Sequence, residues 1–225
     1  MFLTIRKSVI GFVCFALIVA GLAIFFGVKS TMTKPNMQKV VVIDAGHGGR
    51  DGGAVGSETD ESFLNLQYAL ALKDILQEFN YKVVLTRDDM GGLYSPLASN
   101  KKLSEMKKRI GIIKSASPDL VISIHMNSFA SADVRGAQVF YAQDSQSSKS
   151  LAQSIQDNLF ENVDYAKKTA KAGDYYILNC SPVPSVLIEC GFISNPEEEK
   201  LLLNKNYCKK FCYQVACGVF SYYRF

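Results

Sequence analysis

The sequence lacks the cysteine spacing of a metal-binding motif. Its six cysteines form no Cys-x-x-Cys pair, so a zinc site built from cysteines is not predicted. The cysteines are Cys14, Cys180, Cys190, Cys208, Cys212 and Cys217. Cys14 falls in an apolar N-terminal segment and leaves an odd five, so no disulfide framework is implied. Cys208 and Cys212 lie four apart on a predicted helix, where we expect them to pack as small hydrophobic residues.

A large net charge is also absent. The formal net charge is +4, from 25 basic and 21 acidic residues. No Arg/Lys stripe with interleaved aromatic residues is visible, so nucleic acid is not an expected partner. The mild positive charge fits, weakly, contact with an anionic surface or polymer. At 48% hydrophobic and 20% charged residues, the composition is that of an ordinary globular domain.

The N-terminus carries one long apolar segment. Residues 9–28 are uncharged and follow Arg6 and Lys7, and about 20 apolar residues can span a bilayer. The flanking bases predict that the N-terminus stays inside and the rest crosses the membrane. The segment is either a signal anchor, favoured by its length, or a signal peptide cleaved near Gly21-Leu22-Ala23. We therefore predict an export segment with linker over residues 1–36 and a folded domain over 37–225, membrane-anchored or secreted.

Strand and helix patterns alternate through the rest of the chain. The predicted strands cover residues 40–44, 81–86, 120–124, 137–141, 175–178 and 185–188. The predicted helices cover residues 61–79, 101–115, 150–160, a short stretch after Asn195, and 206–223. Alternation of this kind predicts an α/β fold. We expect a three-layer α/β/α domain with a mostly parallel, twisted sheet of about six strands and helices on both faces.

Histidine is scarce, and both histidines stand in the same setting. His47 follows the apolar run Val40–Ile43 and opens a Gly-rich turn, whereas His125 ends the apolar run 120–124. Open α/β sheets place their sites at the carboxyl ends of such buried strands. A single histidine there is usually structural, but two in matching positions favour a shared site, and imidazole is the commonest metal ligand.

A third ligand is expected to be a carboxylate, because a catalytic zinc takes about three N/O ligands and one open position. Glu58, Glu61 and Glu189 each lie at an element end near a loop. Glu61 can turn back toward the His47 loop, or serve only as a first-turn acid favoured by the helix dipole. Glu189 ends an apolar strand, where an unpaired carboxylate is costly. A metal-bound water or a salt bridge would satisfy it, and the residues alone leave both open.

Acidic residues also cluster after the last predicted strand. Asn195-Pro196 is followed by Glu197, Glu198 and Glu199. Asparagine is a good N-cap, and proline suits the first helical position. The acids then lie in the first turn, where the helix dipole favours them.

Five ordered motifs carry a family resemblance. They are Asp44-Ala45-Gly46-His47-Gly48-Gly49 with Asp51 and Gly53-Ala54, Glu61 with Asn65-Leu66, Leu85-Thr86-Arg87, Ser123-Ile124-His125-Met126-Asn127, and Val186-Leu187-Ile188-Glu189-Cys190-Gly191-Phe192-Ile193-Ser194-Asn195. In these motifs the chain resembles the zinc-dependent N-acetylmuramoyl-L-alanine amidases of the type 3 cell-wall family. The resemblance runs from about residue 40 to the C-terminus, and it is greatest to the germination-specific amidases of spore-forming bacteria.

The resemblance implies a set of site residues. The family's zinc ligands fall on His47, Glu61 and His125, its catalytic glutamate falls on Glu189, and Arg109 matches an arginine on the helix before the second histidine. Three positions depart from the family pattern without removing a ligand: Lys114, Lys168 and Cys190. The cofactor implied is Zn²⁺.

The resemblance also implies a reaction and its partners. Zinc lowers the pKa of its water toward ~7 and polarises the scissile carbonyl, while Glu189 moves the proton from water to the leaving amine. The bond is the amide between the lactyl group of N-acetylmuramic acid and L-alanine in peptidoglycan, with spore cortex as the expected substrate. Polar residues around Asn127 could orient the glycan or the metal ligands. The membrane, through the N-terminal segment, and a protein activator are further expected partners.

Two other hypotheses fit the same residues. The ligand set could serve a different zinc peptidase, such as a carboxypeptidase, because any amide could be its substrate. The chain could also be a membrane-anchored wall-binding protein without activity. Loss of a single terminal amino acid from the substrate would indicate the first, and wall binding with neither zinc nor turnover would indicate the second.

Overall fold

The computed structural model of the protein describes residues 38–224. Within that range, six strands and six helices alternate along the chain. The strands are β1 (Val40–Ala45), β2 (Lys82–Leu85), β3 (Leu120–Asn127), β4 (Gln138–Tyr141), β5 (Lys171–Ala172) and β6 (Ser185–Phe192). The helices are α1 (Glu61–Glu78), α2 (Lys101–Ala116), α3 (Gln146–Asn162), α4 (Tyr176–Asn179), α5 (Pro196–Leu203) and α6 (Lys205–Arg224).

The apolar segment predicted to cross or anchor in the membrane lies outside the described residues. The same holds for its predicted cleavage site and for most of the linker. Between residues 38 and 224, none of the helices combines the length and apolarity needed to cross a membrane.

The six strands form one sheet in the order β2-β1-β3-β6-β4-β5. β1, β2, β3 and β6 are parallel to their neighbours in this set, whereas β4 runs antiparallel to β6 and β5 runs parallel to β4. The prediction of a mostly parallel sheet of about six strands is confirmed. β5 was not predicted, because two exposed residues give no hydrophobic pattern.

Helices cover both faces of the sheet, as predicted. Alternating side chains of β1 point to opposite faces, so Val41 and Ile43 join the core beneath α1, α3 and α6, and Val42 joins the core beneath α2 and α4. Cys208 and Cys212 are buried in the first of these cores, which confirms that they pack as small hydrophobic residues. All five cysteines of the described residues are free thiols.

One predicted strand, residues 175–178, is wrong, because the chain there forms the short helix α4. Ile177 and Leu178 pack against Ile110 and Ile113 of α2, so they are buried by a helix and not by strand pairing. A four-residue apolar run does not distinguish the two structures. Helix α3 also begins four residues earlier than predicted, since Ser145 caps it by accepting a hydrogen bond from Ser148 N at 3.2 Å.

The strand order places a crevice beside the first histidine. β1 lies between β2 and β3: the chain runs from β1 to β2 through α1 on one face and back across to β3 through α2 on the other. A crevice is expected at the carboxyl ends of strands where the order reverses in this way. β3 and β6 run past their predicted ends, to Asn127 and Phe192. Both strands therefore carry their polar residues into the crevice.

Candidate metal and catalytic site

His47 lies two residues beyond β1, on a backbone that only a firm set of contacts can hold. Its φ is 59°, a left-handed conformation that costs a non-glycine residue about 1–3 kcal/mol. Arg109 of α2 donates from Nη2 to His47 O at 2.5 Å and from Nη1 to Ala45 O at 2.7 Å. The buried guanidinium therefore fixes the turn that presents the imidazole.

His125 enters the crevice from β3. It pairs in register with Glu189 of β6, and the register shifts by a bulge directly after it. The His125 ring lies against Gly46, where a Cβ atom would overlap the imidazole, so glycine is required at that turn for close approach. The rings of His47 and His125 stand edge to face, with centroids 5.1 Å apart.

Glu61, the first residue of α1, joins the two histidines. Its Oε1 lies 2.9 Å from His125 Nδ1, and its Oε2 lies 3.3 Å from His47 Nε2. The carboxylate also accepts hydrogen bonds from Ala54 N at 2.9 Å and from Asn65 Nδ2 at 3.2 Å. One potential ligand atom from each of His47, Glu61 and His125 lies within 4.8 Å of the others.

Glu189 lies beside this group as a buried carboxyl with an open lone pair. The residue is 9% exposed, and its Oε2 has no hydrogen-bond partner among residues 38–224. Burial raises the pKa of Glu189 to about 7, and the Glu61 carboxylate adds to the rise while His125 opposes it. Glu189 and the three potential ligands line one cavity of about 470 Å³.

The charges around His47 favour a cation at this place. Burial lowers the pKa of His47, but the carboxylates of Glu61 and Asp51 have the larger, opposite effect and raise the pKa to about 9. Burial raises the pKa of Glu61, and the two histidines then hold it far below its usual value. The buried His47 Nδ1 lies 2.9 Å from Asp51 Oδ2, yet it makes no well-oriented hydrogen bond within the described part of the chain.

These features fit a metal ion. Two imidazole nitrogens and one carboxylate oxygen are a donor set that zinc and similar divalent metals accept. Glu189 Oε2 is a buried polar atom without a partner within residues 38–224. A polar group bound beside it would supply one.

A second set of buried charges lies directly beneath the site. Asp44 of β1, 1% exposed, accepts hydrogen bonds from Arg109 Nη1 at 2.6 Å, Ser123 Oγ at 2.7 Å and Thr86 Oγ1 at 2.7 Å. Burial raises the pKa of Asp44, but Arg109 and the two hydroxyls lower it below its usual range. Arg87 lies alongside and donates to four backbone carbonyls. We call Asp44, Thr86, Arg87, Arg109 and Ser123 the buried ion-pair network.

The structure shows which of the site residues predicted from the sequence line the cavity. It brings His47, Glu61, His125 and Glu189 to one cavity, whereas Glu58 is exposed and does not line it. The three departures from the family pattern also lie off the cavity, because two are exposed and one faces the core: Lys114, Lys168 and Cys190.

Three contributors to the site had no role assigned from the sequence, although two of them, Asp51 and Asn65, stand in the family motifs. Asp51 lies against His47, Asn65 holds Glu61, and Tyr175 lines the cavity. Asn65 carries a usable signal, since it stands one helical turn after Glu61 and such residues face each other. Asp51 and Tyr175 lie in irregular segments, where no periodicity indicates direction.

Together, a mostly parallel α/β sheet and two histidines converging with a buried glutamate, beside a second buried glutamate, define an α/β protein with a candidate metal-dependent hydrolytic site. A family description, N-acetylmuramoyl-L-alanine amidase of the Amidase_3 type, matches residues 41–221. The chain belongs to this amidase family, as its motifs predicted.

Individual relatives agree with that assignment. The chain is 34% identical over 194 residues to the germination-specific N-acetylmuramoyl-L-alanine amidase of Bacillus subtilis, covering 84% of this chain and 81% of that one. It is similar to the CwlD amidase of Clostridioides difficile, solved in complex with the GerS lipoprotein, with a TM-score of 0.79 and 36% identity over 83% of this chain and 99% of that one. The catalytic domain of CwlV, from Paenibacillus polymyxa, gives a TM-score of 0.74 and 30% identity, again over 83% and 99%.

Proposed function

We propose that this chain is a zinc-dependent hydrolase that cleaves the amide between the lactyl group of N-acetylmuramic acid and L-alanine in peptidoglycan. The observation that carries the proposal is the convergence of His47, Glu61 and His125 within 4.8 Å of one another, in a cavity that also holds Glu189. Membership of the amidase family supports the choice of substrate.

His47, Glu61 and His125 would hold the zinc ion. When bound there, zinc supplies Lewis-acid polarisation of the scissile carbonyl and a lower pKa for its water. Glu61 is preset for this role, because Ala54 N, Met126 N and Asn65 Nδ2 orient its carboxylate before any metal arrives. Such orientation by neighbouring groups is typical of metal sites.

Glu189 is the proposed general base and acid. Glu189 lines the cavity and its Oε2 has no partner among the described residues, so we assign to it the proton of the attacking water. Its pKa, raised to about 7 by burial, also lets it release that proton to the departing L-alanine nitrogen. A cation nearby would draw this pKa back down, keeping the carboxylate ionised before the reaction.

The remaining wall of the cavity would receive the substrate. Asn127 ends β3 and Ser128 follows it, Tyr175 and Tyr176 begin the α4 segment, and all four residues line the cavity. Hydroxyl, amide and aromatic groups of this kind suit a sugar or a short peptide. We place the acetylated sugar or the first peptide residues against them.

Biological setting and partners follow from the relatives. One relative is named as germination-specific, so spore cortex is the proposed form of the substrate. Another was solved with a lipoprotein, so a protein activator outside the cytoplasm is proposed here as well. Export by the N-terminal segment, as an anchor or a cleaved peptide, and a catalytic domain over residues 37–225 are part of this proposal.

The test is a digestion of purified peptidoglycan by the full chain and by residues 37–225, each with zinc. A matched set includes an extract of the host cells to supply an activator. New L-alanine amino termini are expected, and mass spectrometry should show whole stem peptides released. Release of single terminal amino acids would indicate a carboxypeptidase instead, and no new termini in either condition would overturn the proposal.

A further inference from the structure

Three consecutive glutamates open helix α5, and the structure separates them. Glu197 is exposed and pairs with Arg135 at 3.1 Å, its side chain 77% accessible. Glu198 and Glu199 are each only 2% exposed. Helix-dipole stabilisation explains an exposed first-turn acid, but a buried carboxylate needs donors of its own.

Glu199 finds its donors in the loop that delivers Glu61. Its Oε1 accepts hydrogen bonds from Glu58 N at 2.8 Å and Thr59 N at 3.3 Å, and its Oε2 accepts one from Ser57 Oγ. The loop touches the carboxylate so closely that a Cβ atom at Gly56 would overlap Oε1. Thr59 stands two residues before Glu61, so the Glu199 carboxylate holds the segment that leads directly into α1.

Glu198 bonds to a different part of the chain. Its Oε2 accepts hydrogen bonds from Phe192 N at 2.8 Å and from Gly136 N at 2.9 Å. Phe192 ends β6 three residues after Glu189, and Gly136 lies in the connection from β3 to β4. Glu198 therefore ties the end of the Glu189 strand to the segment that follows His125.

We propose that Glu198 and Glu199 are positioning residues for the two halves of the site. Glu199 holds the loop that places the metal ligand Glu61, and Glu198 holds the strand end that places Glu189. The inference rests on the proposed function, because it assigns different duties to Glu61 and Glu189. Neither glutamate lines the cavity, so each acts through the residue it holds.

The first test is zinc affinity, measured on the full chain by competition with a chromophoric chelator. Removing the Glu199 carboxylate frees the loop, so Glu199→Ala is expected to weaken zinc binding by about tenfold or more, with turnover at saturating zinc within about threefold of wild type. Glu198→Ala is expected to show the reverse, with near-normal zinc affinity and turnover lowered by about tenfold.

Glu197→Ala is the matched control, one residue away on the same turn, and it should change neither quantity. Glu199→Gln retains an acceptor for the two backbone N–H groups, so it should recover part of the affinity lost in Glu199→Ala. If an alanine variant does not fold, Glu199→Gln is expected to weaken zinc binding by about threefold or more, and Glu198→Gln to lower turnover by about threefold or more. Zinc affinity in Glu199 variants equal to that of the Glu197 control would overturn the inference.

The proposed function can fail separately from this inference. A wild-type chain that binds no zinc would remove the zinc proposal itself. Wild-type binding and turnover, with the same constants in all the glutamate variants, would remove only the positioning role. A variant that loses stability but keeps its zinc affinity and turnover when folded would reduce Glu198 and Glu199 to structural residues, and so would also overturn the inference.

Discussion

Two groups of buried polar residues meet at the turn after β1, and they differ in how fully they are bonded. In the buried ion-pair network, which lies below the site, Asp44 accepts three side-chain hydrogen bonds. Arg109 donates to two carboxylates and two backbone carbonyls. At the site, Glu189 Oε2 has no partner within the described chain, and His47 Nδ1 has only the exposed carboxylate of Asp51, 2.9 Å away. A satisfied buried network stabilises a unique fold, whereas unsatisfied buried atoms cost free energy. The comparison indicates that the lower group maintains the structure and the upper group performs the chemistry.

The sharpest way to separate the two groups is Glu189→Gln. The amide cannot exchange the water proton, so the rate of peptidoglycan hydrolysis is expected to fall by about 10²–10⁴-fold. Zinc content, measured by atomic absorption, should stay at the wild-type level, because Glu189 is not a proposed ligand. Glu58→Gln, at an exposed position off the cavity, serves as the control and should change the rate by less than about twofold. A rate in Glu189→Gln close to wild type would remove this residue from the chemistry.

Breaking the lower group should instead cost stability. Asp44→Asn leaves the buried Arg109 with less compensating charge, and the expected loss in the free energy of unfolding is about 3 kcal/mol. Urea unfolding followed by circular dichroism measures it. Asp119→Asn is the control, since Asp119 pairs with Lys39 at the surface and should cost less than about 1 kcal/mol. Equal losses in the two variants would contradict the assignment of Asp44 to a structural network.

The two groups should also respond to pH with opposite signs. Burial raises the pKa of Glu189 from 4.5 to about 7, so the folded state holds this proton longer than the unfolded chain. Its contribution to stability is present below pH ~4.5 and is lost as the pH rises through ~7, by about 3 kcal/mol in total. The Asp44 pKa is lowered, so its contribution is present above pH ~4 and is lost as the pH falls further.

Chelator-treated protein allows this difference to be measured. The stability advantage of Glu189→Gln over wild type should grow between pH 4 and pH 8, because the amide has no charge to bury. The stability deficit of Asp44→Asn should shrink below pH 4, as Asp44 itself is protonated. Excess zinc should flatten the first trend, since a nearby cation favours the carboxylate. If the free energy of unfolding of wild type and Glu189→Gln varies with pH in parallel in chelator, burial does not raise the pKa of the Glu189 carboxyl.

The sequence predicts the strands of the site better than the residues that support it. The strands that carry the histidines were recognisable, because runs such as residues 40–44 and 120–124 are continuous and apolar. Both histidines and Glu189 follow a predicted strand directly or within a few residues, near the carboxyl ends of the sheet where α/β proteins place their sites. The residues that support them were harder to find, since Asp51 and Ser57 lie in loops and the function of Glu199 depends on a contact 140 residues away in the chain. A local pattern has no information about such contacts.

The smallest expected effect comes from the residue next to Glu189. Successive side chains of a strand point to opposite faces, so Cys190 lies in the core beneath α6 while Glu189 lines the cavity. Cys190→Val keeps the volume and is expected to change the free energy of unfolding by less than about 1.5 kcal/mol and turnover by less than twofold. Thermal unfolding and the digestion assay measure both quantities. A large loss of turnover with intact stability would mean that catalysis also depends on the side chains at the opposite face of β6.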